Sequence, residues 1–260
     1  MKTKLIILSI AALCLSAAPA TAEMTLVEVL NSITTNPSND SWVNDKDADS
    51  IPDTGPGIND SYWVPTGLSG SWATMVIEIS DYSGINTFGI FDASDETNTL
   101  IIFDGASTAG TTGGKAILSF TAVGDDVKID LLKFDGTTGT ATFDTKVFGL
   151  FLDSSKGFYG AAPGGMWYSD TSLNADSSDH MLAFQGNDID QIVVGGGVPG
   201  TWTDNEFILG WEDVKAGYSD LDYQDFVVAI ESVQPVPVPA AVLLGILGLG
   251  VAGLRLRKYA

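Results

Sequence analysis

The stretch Val127-Lys128-Ile129-Asp130-Leu131 alternates apolar and polar side chains at every residue. Successive side chains of an extended strand point to opposite faces, so this alternation predicts a strand with one buried face. The turn-forming residues Asp135-Gly136-Thr137-Thr138-Gly139 follow, between the apolar residues Phe134 and Phe143. Together these segments predict two strands separated by a tight turn.

The same alternation recurs in residues 75–80 and in residues 226–231. Clusters of Gly, Asn, Asp, Ser and Thr separate such runs at short intervals, which is typical of β-sandwiches. Six tryptophans and twelve phenylalanines supply large side chains for a core. We therefore predict an all-β body, a β-sandwich of jelly-roll type.

One short helix is predicted at the start of the body. Thr25-Leu26-Val27-Glu28 has the form of a capping box, in which the first and fourth residues satisfy free backbone N–H groups. Apolar residues then recur at the spacing of one helical face, at Leu26, Val29, Leu30 and Ile33.

The charge of the body is strongly negative. All 33 acidic residues lie between Glu23 and Glu231, where seven lysines and no arginine give a net charge of −26. Nucleic acid binding needs a positive surface, so we exclude it. A weak boundary near Asp153-Ser154-Ser155-Lys156 would divide the body into β-rich parts at residues 23–153 and 154–232.

The first 22 residues have the three parts of a secretory signal peptide. Lys2 and Lys4 form a positive start, residues 5–15 form an apolar stretch, and Ala20 and Ala22 form the small-x-small cleavage pattern. We predict export through the Sec translocon, with Glu23 as the first mature residue.

Residues 235–260 form a separate tail. Alternating prolines at its start predict a stiff, extended spacer. Residues 240–254 are apolar, and as a helix they would reach about 22 Å, against roughly 30 Å of hydrocarbon in a bilayer. The basic residues Arg255, Arg257 and Lys258 should stay on the cytoplasmic side. We predict a marginal span that holds the chain transiently in the inner membrane.

This layout resembles the PEP-CTERM sorting signal, which an exosortase recognises and processes in Gram-negative bacteria. Pro237 and Pro239 align with the prolines of the family's Pro-Glu-Pro motif, and Val238 replaces its glutamate, as in the Val-Pro-x-Pro-Ala variant. The resemblance implies an exosortase-type processing enzyme as a partner. The implied sorting signal comprises Val236, Pro237, Val238, Pro239, Ala240, Arg255, Arg257 and Lys258. The alternative is an ordinary C-terminal anchor helix.

The body also resembles secreted PEP-CTERM proteins whose biochemical role is undefined. The resemblance lies in residues 59–63, 75–79, 86–92, 179–184, 210–213 and 219–228. The last motif, Ser219-Asp220-Leu221-Asp222-Tyr223-Gln224-Asp225, resembles a domain of unknown function common in secreted bacterial proteins, for which calcium binding is an inference.

The first acidic cluster places carboxylates at alternate positions, at Asp45, Asp47, Asp49 and Asp53. Ca²⁺ takes six to eight oxygen ligands, and the spacing resembles the Asp-x-Asp-x-Asp-Gly loops of extracellular repeats. Ser50 replaces the glycine of that pattern, and Pro56 stands at the twelfth position instead of a glutamate. The sequence leaves two interpretations, a calcium loop and a solvated acidic loop.

The second acidic cluster surrounds Tyr223, just before the last predicted strand. It comprises Glu212, Asp213, Asp220, Asp222 and Asp225. Crowded carboxylates raise the energy of a loop unless a cation or backbone N–H groups offset their charge. We expect Ca²⁺ here; the alternative is that these carboxylates cap their own turns.

Catalytic motifs are lacking. His180 follows Asp179 and lies near Ser177 and Ser178, but no Gly-x-Ser-x-Gly elbow accompanies them. One histidine, and one cysteine that lies within the signal peptide, do not supply a zinc site. We interpret His180 as a structural residue and expect no enzymatic activity.

The sequence thus favours an exported, non-catalytic protein of the cell envelope or extracellular matrix, sorted by an exosortase-type system and stabilised by Ca²⁺. Extracellular polysaccharide is a further expected partner. The second hypothesis is a secreted carbohydrate-binding module, which would present exposed Trp or Tyr residues on one sheet face. A hydrolase built on paired carboxylates is the third, and it requires a cleft with two facing acids.

Overall fold

The computed structural model describes residues 26–33, 58–66, 71–78, 84–105, 107, 111–159, 162–194 and 198–237. In chain order its helix and strands are α1 Leu26–Ile33, β1 Ile58–Pro65, β2 Ser71–Glu78, β3 Thr87–Asp92, β4 Asp95–Phe103, β5 Lys115–Val123, β6 Asp126–Lys133, β7 Thr138–Phe143, β8 Phe148–Asp153, β9 Phe158–Tyr159, β10 Ala162–Pro163, β11 Met166–Tyr168, β12 Met181–Gln185, β13 Gln191–Ile192, β14 Gly200–Thr201, β15 Glu206–Trp211, β16 Phe226–Glu231 and β17 Val233–Pro237. Short 3₁₀ helices span Thr112–Gly114 and Thr171–Leu173.

Two large antiparallel sheets form the body. The larger has the strand order β12-β15-β16-β2-β5-β6-β7, and the smaller has the order β17-β1-β8-β3-β4, with β11 also paired to β8. Each sheet combines strands from before and after residue 153. The predicted parts 23–153 and 154–232 therefore contribute to the same two sheets.

Aromatic pairs join the inner faces of the two sheets into one core. The ring of Trp63 in β1 meets that of Phe207 in β15 with centroids 4.8 Å apart. Phe88 in β3 stacks on Phe226 in β16 at 5.3 Å. All four side chains are buried in a single apolar cluster. The prediction of an all-β sandwich is confirmed.

The strand predicted at residues 127–131 forms as part of β6. Ile129 and Leu131 of β6 are buried, while Asp130 between them faces partly outward. The N–H of Lys133 donates to the carbonyl of Thr137 at 2.8 Å and closes the turn to β7. Gly136 lies in this turn with φ of +91°, a backbone region that L side chains rarely adopt.

Helix α1 covers part of the outer face of the larger sheet. Its four predicted apolar residues are all buried, so the helix prediction is confirmed. They pack with Phe184, Ile208 and Val227 of the sheet. An eight-residue helix is not stable alone in water, so this packing stabilises it. It also explains why β16 is apolar on both faces instead of alternating strictly.

The end of the body differs from the prediction. We expected residues 235–260 to lie outside the fold, but β17 continues to Pro237 and pairs with β1. Pro235 lies opposite Trp63, and Pro237 lies opposite Ile58. Proline cannot donate to a ladder and is tolerated in edge strands such as β17. Val236 and Pro237 of the predicted sorting signal thus belong to the sheet.

Several predicted features lie outside the described residues. They are the signal peptide with Ala20 and Ala22, the first acidic cluster (Asp45, Asp47, Asp49 and Asp53), and the tail residues Val238, Pro239, Ala240, Arg255, Arg257 and Lys258. Within the described part of the chain, no helix has the length and apolar character needed to cross a membrane.

Candidate metal site

The second acidic cluster lies on the loop between β15 and β16, which spans residues 212–225. The two strands pair directly, with Trp211 opposite Phe226, so the loop begins and ends at neighbouring positions. As a result the N–H of Asp213, at the start of the loop, donates to Oδ2 of Asp225, at its end, at 3.1 Å. The register of the hairpin therefore gathers acids that are twelve residues apart in sequence.

Three of the five predicted ligands form a compact group. Carboxylate oxygens of Glu212, Asp220 and Asp222 lie within 4.8 Å of one another. Two oxygens bound to one Ca²⁺ at about 2.4 Å can be at most about 4.8 Å apart. The three carboxylates thus already have the spacing of ligands to a single ion, without rearrangement of the backbone.

Glu212 is the fixed member of this group. Its side chain is buried, and its Oε1 accepts a hydrogen bond from the N–H of Tyr223 at 2.6 Å. Its Oε2 accepts from the hydroxyl of Ser219, whose oxygen in turn accepts from the N–H of Leu221 at 2.9 Å. These donors offset part of the charge of Glu212, and the acidic segment folds back around it.

Trp167, His180 and Asp176 form a platform that contacts the start of the loop. The indole N–H of Trp167 donates to the carbonyl of Asp213 at 2.9 Å, and Nδ1 of His180 lies 3.2 Å from the carbonyl of Glu212. Nε2 of His180 lies 3.2 Å from a carboxylate oxygen of Asp176. The platform connects β11 and the start of β12 to the loop, so the positions of Glu212 and Asp213 depend on the core.

Asp176 is held by several donors at once. Burial acts to raise the pKa of its carboxyl, but hydrogen bonds from the N–H groups of Ala216 and Ser178 and from His180 outweigh it and lower the pKa below the ordinary value. Asp176 therefore stays ionised, and it connects the platform to the middle of the loop through Ala216.

Asp213 and Asp225 form the inner half of the site. The amide nitrogen of Asn86 donates to Oδ2 of Asp213 at 3.0 Å. Burial, followed by the charges of Asp213 and Glu212, raises the pKa of Asp225 from 3.8 to about 9. In the absence of a cation, Asp225 thus holds a proton near neutral pH. A divalent cation would supply the positive charge that this proton supplies.

Gln224 adds an oxygen to the site and was not among the five predicted ligands. Its side chain is buried, and its amide nitrogen donates to Oδ2 of Asp222 at 2.6 Å. Among the described residues, no hydrogen-bond donor reaches its amide oxygen, Oε1. Amide oxygens are ordinary Ca²⁺ ligands, and a buried acceptor without a donor is destabilising. A cation beside Asp222 would give this oxygen a partner.

Gly210, the residue before Trp211, leaves room for the loop. A Cβ at this position would lie 2.5 Å from the carbonyl oxygen of Tyr223 and 3.1 Å from Leu26 of α1. Any side chain would therefore push the acidic segment and the helix away from β15. The glycine of the Gly210-Trp211-Glu212-Asp213 motif has a steric role in the site.

The structure shows part of what each of the two interpretations of the cluster requires. Glu212 and Asp225 accept bonds from backbone N–H groups of their own loop, as the turn-capping interpretation requires. The carboxylates of Asp220 and Asp222 converge with that of Glu212, as the calcium interpretation requires. Ser219 and Gln224 were missed because hydroxyl and amide residues are too common in loops to stand out in a single sequence.

Comparison with known proteins finds a family match over 90 of the 260 residues. Residues 144–233 match a family described as "Domain of unknown function (DUF4114)". No curated protein matches the chain. No solved structure matches it either. The matched range contains the platform, the acidic loop and both strands that flank the loop.

Proposed function

We propose that the protein is an exported, non-catalytic component of the cell envelope or extracellular matrix, stabilised by Ca²⁺ bound at the 212–225 loop. The observation that carries the calcium proposal is the group formed by Glu212, Asp220 and Asp222, whose carboxylate oxygens lie within 4.8 Å of one another. The export proposal rests on the signal-peptide pattern of residues 1–22.

The proposed role of the ion is structural. Glu212 is buried, whereas Asp220 is exposed and Asp222 is half-buried, so an ion here would connect the core to the outer segment of the loop. Burial, together with the charges of Asp213 and Glu212, raises the pKa of Asp225, and an ion would offset the part that comes from those charges. Outside the cell, calcium modules with affinities on the order of 0.1–1 mM remain occupied.

A non-catalytic role agrees with the surroundings of the single histidine. His180 is buried, and its ring stacks on Trp167. Its ring nitrogens contact the carboxylate of Asp176 and a main-chain carbonyl. These contacts use the imidazole as a structural element.

The alternative function is a carbohydrate-binding module. Binding of sugars on a sheet face uses exposed aromatic side chains, but Trp63, Trp167, Trp202 and Trp211 are all buried. This burial weighs against the alternative, and we rank it second for that reason.

Calorimetry and thermal unfolding test the calcium proposal. With a dissociation constant of about 0.1–1 mM, 10 mM Ca²⁺ should stabilise the body by about 1.4–2.7 kcal/mol. Asp222→Asn should weaken binding at least tenfold. The control is Asp125→Asn, because Asp125 is exposed on the turn between β5 and β6. No heat of binding and no stabilisation at 10 mM Ca²⁺ would overturn the proposal.

We further propose that an exosortase-type system sorts the protein through the tail of residues 235–260. Truncation tests this sorting proposal, and the extent of β17 decides where to cut. A chain ending at Pro237 keeps β17, whereas a chain ending at Ser232 loses it. We expect the first truncation to fold normally and to lose membrane retention and processing. A full-length protein and a Pro237 truncation with the same location and the same mature size would contradict the sorting proposal.

A further inference from the structure

A pair of glutamates lies on the outer face of the larger sheet, on the hairpin of β15 and β16, at the end opposite the acidic loop. In the register of β15 and β16, Glu206 lies directly opposite Glu231. Like charges at directly opposed positions of neighbouring strands are destabilising. Both side chains are half-buried, so burial does not force the two carboxyl groups to lie together. Packing alone therefore does not explain why two glutamates stand at directly opposite positions.

The two glutamates line a cavity of about 180 Å³. One wall is apolar and consists of Ile192, Val194, Trp202, Ile208 and Ala229. Lys115 also lines the cavity, and Ala229 and Lys115 lie in one row of the sheet, with Thr74 of β2 between them. Two strand spacings separate Lys115 from Ala229, which is about 10 Å. The backbone of Lys115 thus lies two strands away from β16, which carries Glu231.

Glu206 is held in place by the turn that precedes β15. The N–H of Thr203 donates to its Oε2 at 2.6 Å. The indole N–H of Trp202 donates to the carbonyl of Glu206 at 3.0 Å, and the N–H of Trp202 donates to the carbonyl of Asp190 at 2.7 Å. The carboxylate and the aromatic wall are thus positioned by the same turn, before any ligand arrives.

Below about pH 7 the carboxyl pair holds a proton when no other cation is present. Burial, followed by a hydrogen bond with Glu206 and the charge of Glu206, raises the pKa of Glu231 from 4.5 to about 7. The positive charge of a proton between two carboxyl groups can also be supplied by a cation that carries several N–H donors. An ammonium group supplies three such donors.

The geometry points to the cavity beside Glu206 and Glu231 as a binding site for a primary ammonium group on a short aliphatic body. The two carboxylates would accept hydrogen bonds from the ammonium group, and the body would lie along Val194, Ile208 and Ala229. A cavity of about 150 Å³ holds a six-carbon ring, so one of this size accommodates about six non-hydrogen atoms. A free alkylamine and the side chain of a partner's lysine both supply this chemistry.

A matched series of five-carbon ligands tests the assignment by calorimetry on the mature body at pH 8. We expect pentan-1-ammonium to bind with a dissociation constant of about 1 mM or tighter. Pentan-1-ol and pentanoate have the same chain without the ammonium group, and neither should bind. Equal binding of the alcohol would overturn the proposal, because the alkyl chain alone would then account for binding. Absence of binding by the ammonium ion would also overturn it.

The source of the ammonium group is distinguished by a second ligand, Nα-acetyl-L-lysine methylamide. Its binding together with pentan-1-ammonium would identify the lysine side chain of a partner chain as a ligand. Binding of pentan-1-ammonium without it would restrict the site to free amines. Both results support the ammonium assignment.

Three variants separate the site from the general negative charge of the body. Glu231→Gln should weaken binding of pentan-1-ammonium at least tenfold. Lys115→Met should tighten it, because a positive charge leaves the cavity. Glu96→Gln removes an exposed carboxylate outside the cavity and should change nothing. An equal loss in Glu231→Gln and Glu96→Gln would show nonspecific attraction and would overturn the site.

The pH dependence gives a readout that a purely structural pair would not show. Among the residues that the structure describes, the titratable groups that line the cavity are Glu206, Glu231 and Lys115. Since the ammonium ion competes with the shared proton, affinity should rise at least tenfold from pH 5.5 to pH 8. The heat at pH 6 should depend on the ionisation enthalpy of the buffer, because binding releases a proton. An affinity that is constant across this range would contradict the proposal.

Calcium binding at the 212–225 loop is measured separately, so the calcium proposal and the ammonium proposal can each fail alone.

Discussion

The imidazole of His180 stacks on the indole of Trp167, with ring centroids 3.8 Å apart and planes inclined by 8°. Both rings are buried, and both bond to main-chain carbonyls at the start of the acidic loop. This pair connects the interior of the sandwich to the candidate metal site. A change in the core at this point should therefore affect the loop as well as stability.

His180→Ala should lower the free energy of unfolding by about 2–4 kcal/mol, through the lost stacking and through buried acceptors left without a donor. Urea unfolding checks the stability. Calcium affinity should fall in the same variant, because Glu212 loses its support. Lys156→Ala, on an exposed turn, is the control and should stay within about 0.5 kcal/mol of the parent. An unchanged calcium affinity in a folded His180→Ala variant would contradict the coupling.

The stability of the ion-free body should fall as pH rises. The pKa of Asp225 is raised from 3.8 to about 9 in the folded state, so the stability that its proton contributes is fully present below about pH 3.8 and is lost progressively as pH rises to about 9. Added Ca²⁺ should restore stability at high pH, so the shift in Tm should be larger at pH 8 than at pH 5. Thermal unfolding with and without 10 mM Ca²⁺ checks this expectation. An equal shift at both pH values would contradict it.

Gly210→Ala should destabilise the body by about 1–3 kcal/mol, because the added Cβ would approach the carbonyl of Tyr223 and the side chain of Leu26. Gly200→Ala is a matched control, since a Cβ there meets nothing within 4 Å. Urea unfolding of both variants gives the comparison. Equal stability of the two variants would show that the contact between loop, helix and strand is not required.

Glu231→Gln should raise Tm at pH 8 and leave it nearly unchanged at pH 5. The folded-state pKa of Glu231 is raised to about 7, so the parent protein loses stability as pH rises from about 4.5 to about 7. Glutamine keeps a hydrogen-bond donor at all pH values and removes the repulsion from Glu206. Thermal scans of parent and variant at the two pH values test this. A lower Tm for the variant at pH 8 would refute the interpretation of the pair.

Local patterns were sufficient for strand β6 and helix α1. The alternation at Ile129 and Leu131 predicted the buried face of β6, and the apolar spacing from Leu26 to Ile33 predicted α1. Alternation and helical spacing follow from backbone geometry alone, so they can be read without a partner segment. The signal peptide and the sorting tail stay predictions of the same local kind.

The candidate sites and strand β17 depend on contacts that a single sequence does not specify. The sequence showed that Glu212, Asp220 and Asp222 are acidic and near in the chain, but only the loop conformation brought their oxygens within 4.8 Å. The pairing of Glu206 with Glu231 depends on the register of β15 and β16, which a single sequence does not specify. The same holds for β17: its prolines predicted an extended spacer, and only the structure shows that this segment pairs with β1.

The sequence by itself determined an acidic, all-β, sandwich-type body with one short helix, because hydrophobic period and turn chemistry act over a few residues. Tertiary structure alone decided which side chains meet: His180 with Trp167, Glu206 with Glu231, and Gln224 with Asp222. Strand register and the burial of polar groups are properties of the assembled sheets, since each residue's neighbours come from distant parts of the chain.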